Sequence, residues 1–262
     1  MPLAIEGERG GKPVPLVLLH SLLTDSSAYR PLAKALGPAF APVAPILPGF
    51  PGGGPAVSGI EAVADCVARD LAARGVRGPF HLLGNGYGGF VALALAQRHG
   101  KRIDRLILLD AAAAFPLPAK NAFRQMREDV TRGGMSAAAD VAMARVFPEN
   151  FRNANPATVA GCRKVFEAFD AGHFAINCQN LIDVDLRSGL GAVDNPAFVL
   201  VGTEDQATPP ALARELAAAI PDARYQELPG LGHAPHLQAP DRVASLLLDF
   251  LSTNPARQGT TA

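Results

Sequence analysis

Short apolar runs alternate with amphipathic stretches along most of the chain. The strand-like runs are residues 15–20, 41–47, 79–84, 105–110, 197–202 and 224–228. Stretches with helical periodicity follow most of them, at residues 27–36, 59–75, 85–100, 209–220 and 240–251. This alternation predicts an α/β fold, with a mostly parallel central sheet and helices on both of its faces.

The alternation of strand-like and helical stretches stops between about residues 111 and 195. We find helical stretches there and no strong strand pattern. The helical stretches are residues 120–131, 135–147, 156–169 and 174–184. A segment of this length is too long for a plain loop. We therefore expect a core formed by residues 1–112 and 195–262, interrupted by a helical cap or lid insertion at residues 113–194.

A glycine-rich turn, GNGYGG, follows the run at 79–84 and leads directly into a helix. This context is typical of a nucleophile elbow, whose pattern is G-x-S-x-G, and Gly84 and Gly88 occupy its two glycines. The nucleophile position is held by Gly86, which has no side chain. Glycine suits the positive φ of this turn. Without a hydroxyl, however, no acyl-enzyme can form on Gly86.

The same turn fits a second pattern. Gly84, Gly86 and Gly89 have the G-x-G-x-x-G spacing of a dinucleotide-binding turn, and Asp110 ends the next strand-like run 21 residues after Gly89. That pattern normally follows the first strand of a dinucleotide-binding fold, and here it follows the third. Both interpretations of the turn stay open at this level.

Acidic and histidine motifs follow further along the chain. The run at 197–202 leads into Glu204 and Asp205, and a Gly-His-Ala-Pro-His motif places His233 and His236 before the last helix. Gly86, Asp205 and His233 occur in the chain order of the α/β-hydrolase triad. Glu204 is the alternative acid and His236 the alternative base.

With these motifs in order, nearly the whole chain resembles the α/β-hydrolase superfamily. Within it, residues 21–25, 185–187 and 205–210 resemble 3-oxoadipate enol-lactonase and its relatives. The resemblance implies an α/β-hydrolase fold in which His233 is the general base and Asp205 orients it. It also implies an oxyanion hole made of the backbone N–H groups of Leu22 and Tyr87.

Four further residues are candidates for the substrate pocket, namely His20, Ser21, Asn85 and His236. His20 and Ser21 stand where the family often has His-Gly, a difference that removes no backbone donor. The insertion contributes apolar side chains that could form its own core or line the pocket, and arginines that could meet a substrate carboxylate or remain on the surface. The apolar residues are Phe115, Phe123, Met126, Phe166, Phe169 and Phe174, and the arginines are Arg124, Arg127, Arg145 and Arg163.

Composition narrows the class of partner. Lysine plus arginine and aspartate plus glutamate both number 24, so neither nucleic acid nor a membrane surface is indicated. The first 12 residues have no apolar segment typical of a signal peptide, and we expect a cytoplasmic protein. Cys66, Cys162 and Cys178 are widely spaced and are expected to be reduced. We expect no metal and no cofactor, and a small molecule as substrate or ligand, whereas the oligomeric state is not predicted.

Three functional hypotheses remain. The first is an enzyme that hydrolyses a small ester, lactone or enol-lactone with a degenerate triad. In it, His233 and Asp205 activate a water in the space left by the missing hydroxyl, or perform lyase-type base chemistry. The second is a non-catalytic ligand-binding relative of a hydrolase. The third is an engineered serine-to-glycine form of an ordinary serine hydrolase.

Overall fold

The structure is a computed structural model, and it describes residues 14–252 apart from the side chain of Ala39. The strands are β1 (Pro15–Leu19), β2 (Ala41–Val43), β3 (Phe80–Asn85), β4 (Ile103–Leu109), β5 (Ala197–Gly202) and β6 (Ala223–Leu228). The helices of the core are α1 (Arg30–Leu36), α2 (Ile60–Ala73), α3 (Tyr87–His99), α9 (Pro210–Ala219), α10 (Pro235–Gln238) and α11 (Pro240–Ser252). Those between β4 and β5 are α4 (Leu117–Gly133), α5 (Ala139–Val146), α6 (Glu149–Ala154), α7 (Pro156–Glu167) and α8 (Ala171–Asp183).

The six strands form one parallel sheet in the order β2-β1-β3-β4-β5-β6. The central strands are apolar on both faces because helices cover both sides of the sheet. In β1, Val17 and Leu19 belong to one hydrophobic core, whereas Leu16 and Leu18 belong to the other. The predicted α/β class, with a mostly parallel sheet between two helical layers, is therefore confirmed.

The strand order reverses beside β1. The chain moves outward from β1 to β2 and then returns to place β3 on the other side of β1. At such a switch point, the loops after the two strands leave in opposite directions and open a crevice at the carboxyl ends of the strands. The crevice here lies between the loop after β1 and the loop after β3.

Helices α4 to α8 lie between β4 and β5, in the segment 113–194 for which the sequence predicts a helical insertion. We call this segment the excursion. Its two ends come together, since Ala114 and Asp185 form an antiparallel bridge and the Leu186 N–H donates to the Ala113 carbonyl over 2.9 Å. The excursion contacts the carboxyl ends of the strands, because the His233 N–H donates to the Val146 carbonyl at the end of α5.

Several predicted boundaries were wrong. The strand predicted at 41–47 ends at Val43 because Pro45 cannot donate to a strand ladder. The helix predicted at 135–147 divides into a 3-10 turn, Met135–Ala138, and α5. Pro209 precedes α9 instead of beginning it. The short helices α6 and α10 were not predicted, since 6 and 4 residues are too few to show a periodic pattern.

Candidate active site

Two neighbouring loops meet at the switch point because their strands are in register. Leu19 of β1 pairs with Gly84 of β3, so the residues two positions further along each chain lie at the same height. Those residues are Ser21 in the loop after β1 and Gly86 in the loop after β3. Sheet pairing alone therefore places Ser21 beside the elbow.

The loop after β3 has the backbone of a nucleophile elbow. Gly86 has φ 53° and ψ −116° and directly precedes α3. Gly88 allows the start of α3 to approach β1, since its N–H donates to the His20 carbonyl over 3.0 Å. A Cβ at Gly88 would lie 2.1 Å from the Leu19 carbonyl oxygen, a contact that excludes any other residue type.

The space in front of Gly86 is filled by two other side chains. A Cβ built on Gly86 would lie 2.5 Å from the Ser21 Oγ and 2.6 Å from the His233 Nε2. Both distances are far below van der Waals contact, so the site as it stands has no room for a side chain at position 86. Where the sequence suggested room for a water, the structure has the Ser21 hydroxyl.

Ser21, His233 and Asp205 form a continuous chain of hydrogen bonds. The His233 Nδ1 lies 2.9 Å from the Asp205 Oδ2, and the His233 Nε2 lies 3.2 Å from the Ser21 Oγ. Because a carboxylate only accepts, Nδ1 carries the proton in the neutral ring and Nε2 accepts from the serine hydroxyl. All three side chains are buried. Sequence reasoning identified the pair of Asp205 and His233 but placed Ser21 only in the pocket.

Asp205 is held by its own turn. Its Oδ1 accepts the N–H groups of Ala207 and Thr208 over 2.7 and 3.0 Å, and the Thr208 hydroxyl donates to Oδ2 over 2.6 Å. Burial by itself raises the pKa of Asp205, but the charge and hydrogen bond of His233, together with the bonds from Thr208, outweigh it and lower that pKa. Glu204, the alternative acid, is exposed.

A second buried carboxyl, Asp110, lies behind Asp205. Burial raises the pKa of Asp110 well above its usual range, and the negative charge of Asp205 raises it further. Its Oδ1 accepts the Gly202 N–H over 2.8 Å, and its backbone has a positive φ of 48°. Asp110 therefore faces the protein interior, which disagrees with the role of a ribose-binding acid in the dinucleotide interpretation of the turn.

His20 fixes the loop that carries Ser21. Its Nδ1 donates to the Ser21 carbonyl over 3.0 Å, and its Nε2 accepts the Leu47 N–H over 3.2 Å. Nε2 can accept only in the neutral ring, and burial lowers the pKa of His20, which favours that form. His20 thus holds the backbone of Ser21 in place.

Asn85 and His236 also support the site from behind. The Asn85 Nδ2 donates to the carbonyls of Leu109 and His233, each over 3.1 Å. His236 stacks on Tyr29 at 4.7 Å, and the Tyr29 hydroxyl donates to the Leu19 carbonyl over 2.8 Å. Of the four predicted pocket residues, only Ser21 lines the cavity described next.

The cavity beside Ser21 has a volume of about 20 Å³, close to that of one water molecule. Leu22 and Tyr87, the predicted oxyanion-hole residues, lie in its wall with His233, and Arg145 enters from α5. Tyr87 begins α3, and the first N–H groups of a helix have no acceptor within it. A backbone donor and a cation therefore face the same small space as the His233 ring.

The side chain of Tyr87 points toward the excursion. Its hydroxyl donates to the Asn177 Oδ1 and accepts from the Asn180 Nδ2, each over 3.0 Å, and both asparagines lie on α8. The Asn180 Nδ2 also donates to the Val57 carbonyl over 2.8 Å. These bonds tie the excursion to the elbow helix.

The aromatic residues of the excursion divide into two groups. Phe115 and Phe123 line the cavity. Phe166 makes a tilted contact with Phe169 and an edge-to-face contact with Phe174 in the buried core of the excursion, and Met126 is buried as well.

The arginines divide in the same way. Arg163 pairs with Asp140 and Glu167, whereas Arg124 and Arg127 bond to Asn121 and Gln179. Only Arg145 reaches the cavity, where its guanidinium lies 5.3 Å from the centre of the Phe123 ring. In the described part of the chain, no carboxylate lies within 4.0 Å of Arg145.

Metal-binding clusters and membrane-spanning helices are both absent from residues 14–252. No group of three or more histidine, cysteine, aspartate or glutamate side chains there could hold a metal ion. None of the helices in that range is long and apolar enough to cross a membrane.

Comparison with known proteins gives the same fold. The profile of the alpha/beta hydrolase family matches residues 16–246. The enol-lactonase from Burkholderia xenovorans LB400 is 32% identical, with a TM-score of 0.87 and 95% of each chain covered. A pimeloyl-[acyl-carrier protein] methyl ester esterase from Aromatoleum aromaticum is 30% identical, over 90% of this chain and 97% of its own. A thermophilic esterase from Thermogutta terrifontis is 26% identical, with a TM-score of 0.84, over 96% and 98% of the two chains.

Proposed function

Since the chain belongs to the alpha/beta hydrolase family, we propose that it hydrolyses a small carboxylic ester or lactone, enol-lactones included. His233 is the general base, and Asp205 holds its ring in the tautomer that can accept a proton. The observation that carries this proposal is the buried contact of 2.9 Å between the His233 Nδ1 and the Asp205 Oδ2, beside a cavity. The relatives named as esterases and an enol-lactonase support the reaction class.

Acyl transfer needs a base and a site for the developing oxyanion. His233 presents Nε2 to the cavity, while its Nδ1 proton is held by a carboxylate that stays charged because its pKa is lowered. The backbone N–H groups of Leu22 and Tyr87 are the proposed oxyanion donors, and the N-terminus of α3 adds the positive end of its dipole. Removal of one such donor in other hydrolases costs about 10²–10³ in kcat.

Arg145 narrows the substrate class. Burial lowers the pKa of Arg145, while the charge of Asp205 opposes that change, and the guanidinium remains a cation at neutral pH. A cation that lines the cavity, with no carboxylate of the described chain within ion-pair distance, favours a substrate with its own carboxylate. We therefore propose that the substrate has an ester or lactone group and also a carboxylate that pairs with Arg145.

The Arg145 assignment predicts a change that depends on the substrate. Arg145→Met should raise KM for an enol-lactone carboxylate about 10-fold or more, the loss of one charge-assisted hydrogen bond. It should leave KM for the neutral ester p-nitrophenyl acetate nearly unchanged. Arg124→Met, which removes a half-buried arginine bonded to Asn121, is the matched control. Equal effects on the charged and neutral substrates would contradict the assignment.

The proposed function is tested with His233→Ala in steady-state assays on p-nitrophenyl acetate and on an enol-lactone. We expect kcat/KM to fall at least about 10³-fold, because the base is lost. His173→Ala, at a half-exposed histidine on α8, should keep full activity. Unchanged turnover in His233→Ala would overturn the proposal. Wild-type protein that binds these ligands in a thermal-shift assay without turning them over would also overturn it, in favour of a ligand-binding protein.

A further inference from the structure

We infer that Ser21 is the nucleophile of this site, so that the catalytic hydroxyl comes from the loop after β1 and not from the elbow. The inference rests on the proposed function. Its geometry is the sequence of contacts from Asp205 through His233 to the Ser21 hydroxyl, with distances of 2.9 and 3.2 Å. A serine, its base and the carboxylate that orients the base are the elements of a serine-hydrolase triad.

The missing side chain at position 86 is part of the same arrangement. The Ser21 Oγ lies only 2.5 Å from where a Cβ of residue 86 would be. The elbow direction and the Ser21 hydroxyl therefore converge on one point in front of the His233 Nε2. Only one of the two loops can supply a side chain there, and in this chain it is the loop after β1.

The surroundings of Ser21 are those of a positioned group. Its carbonyl is held by the His20 Nδ1, and the preceding strand end is held by the Tyr29 hydroxyl at the Leu19 carbonyl. Ser21 is 2% exposed, yet its side chain lines the cavity that Arg145 enters. The Ser21 side chain thus contacts the His233 base and also lines the cavity, as expected for a group that reacts with a bound substrate.

The reaction balances with water as the second substrate. The Ser21 Oγ attacks the carbonyl carbon while its proton passes to the His233 Nε2, and the oxyanion is held by the N–H groups of Leu22 and Tyr87. The C–O bond to the leaving alcohol then breaks, and the alcohol oxygen takes the proton from His233. This leaves an ester on Ser21. A water, deprotonated by His233, attacks that ester, and the acid leaves as the proton returns to Ser21.

The acyl step predicts a covalent adduct at Ser21. We expect a fluorophosphonate probe to add one phosphonyl group to the wild type, located on the peptide that contains Ser21 by mass spectrometry. Ser21→Ala should abolish the adduct and lower kcat/KM for p-nitrophenyl acetate at least about 10³-fold. Ser245→Ala, at an exposed serine on α11, is the matched control and should change neither.

The conservative variant Ser21→Cys separates chemistry from packing. A thiol beside the His233 ring should be alkylated by iodoacetamide faster than Cys178, whose burial raises its pKa to about 12. A p-nitrophenyl acetate burst in Ser21→Cys, with an acetyl group on position 21, would support the inference. An unreactive thiol in a folded variant, judged by its circular dichroism, would overturn it.

Failure of this inference can be distinguished from failure of the proposed function. If Ser21→Ala keeps turnover within about threefold while His233→Ala loses it, then His233 acts on water directly; the inference fails and the proposed function stands. If neither variant loses turnover, both fail. A wild type that turns over p-nitrophenyl acetate but forms no phosphonyl adduct also overturns the role of Ser21.

Discussion

The loop after β3 and the loop after β1 are neighbours that divide the usual features of a nucleophile elbow between them. The loop after β3 has the backbone, with a positive φ at Gly86 and a helix starting at Tyr87, but no side chain. The loop after β1 has the hydroxyl, on Ser21, whose φ is not positive. A non-glycine residue at positive φ costs roughly 1–2 kcal/mol, so the second arrangement presents the hydroxyl without that strain.

The position of the His233 ring, and not the choice of loop, determines where a catalytic hydroxyl has to lie. His233 is fixed by Asp205 through its ring, by Val146 through its N–H and by Asn85 through its carbonyl. The point in front of its Nε2 is therefore fixed as well. Either neighbouring loop can reach that point, because β1 and β3 are paired in register.

The largest loss of activity is expected at Asp205, because Asp205 orients His233 and a hydroxyl on either loop would need His233 as its base. Asp205→Asn should lower kcat on the order of 10³- to 10⁴-fold, because the amide no longer selects the tautomer of His233 that accepts at Nε2. The neighbouring Glu204→Gln, at an exposed side chain, is the control and should keep kcat. The measurement is kcat for p-nitrophenyl acetate at pH 7. A larger loss in Glu204→Gln would assign the acid to Glu204 instead.

The second prediction concerns variants in which residue 86, at the elbow, carries the hydroxyl. Gly86→Ser alone should lower activity roughly 10- to 100-fold, because the new Cβ collides with the Ser21 Oγ and the His233 Nε2. In a Ser21→Ala background one of these collisions is removed. We expect fluorophosphonate labelling to appear at position 86 in that double variant, read from the labelled peptide. If position 86 is never labelled and the losses of activity of the two single variants simply add, then the two loops cannot supply the hydroxyl at the same point.

The third prediction concerns stability at the elbow. Gly86→Ala should lower the free energy of unfolding by about 2–4 kcal/mol, the sum of positive-φ strain and overpacking. Gly230→Ala is the matched control, because Gly230 has φ 77° and nothing within 4 Å of its added Cβ. It should show the strain alone, roughly 1–2 kcal/mol. Urea unfolding measures both, and equal losses would mean that Ser21 and His233 yield easily to a side chain at position 86.

The smallest expected effect is a pH dependence of stability from His236, which stacks on Tyr29, the residue bonded to the Leu19 carbonyl. Burial lowers the pKa of His236 to about 3 from 6.5, and the charge of His233 adds to this. Between these two values the unfolded chain binds a proton that the folded chain does not, so stability falls as the pH falls. From pH 6.5 to about 5 the loss attributable to His236 is on the order of 1–2 kcal/mol.

His236→Phe tests this pH dependence, because a phenyl ring can keep the stack on Tyr29 and cannot take up a proton. Urea unfolding at several pH values should show a flatter acid slope in His236→Phe than in the wild type. His173→Gln, at a half-exposed histidine, is the control and should leave the slope unchanged. An unchanged slope in His236→Phe would assign the acid sensitivity to another group, with His20 the first to examine.

The class of fold could be predicted from the sequence alone, as could a glycine-rich turn that has no hydroxyl at position 86. Apolar runs, helical periodicity and the glycines at 84 and 88 are local patterns, which can be recognised in a sequence without knowledge of the tertiary structure. The order of Gly86, Asp205 and His233 along the chain also suggested an acid and a base, and the structure brings Asp205 and His233 within 2.9 Å of each other. The short helices α6 and α10 were missed because they have too few residues to show a period.

The side chain in front of the His233 ring could not be predicted from the sequence. Ser21 and His233 are 212 residues apart, and nothing in the sequence around either one indicates the contact. It follows from the strand order, the register of Leu19 with Gly84, and the bonds that hold His20 and Asp205. The inward position of Asp110 has the same origin. Such contacts depend on which strands pair and at what height, and residue spacing along one chain does not contain that information.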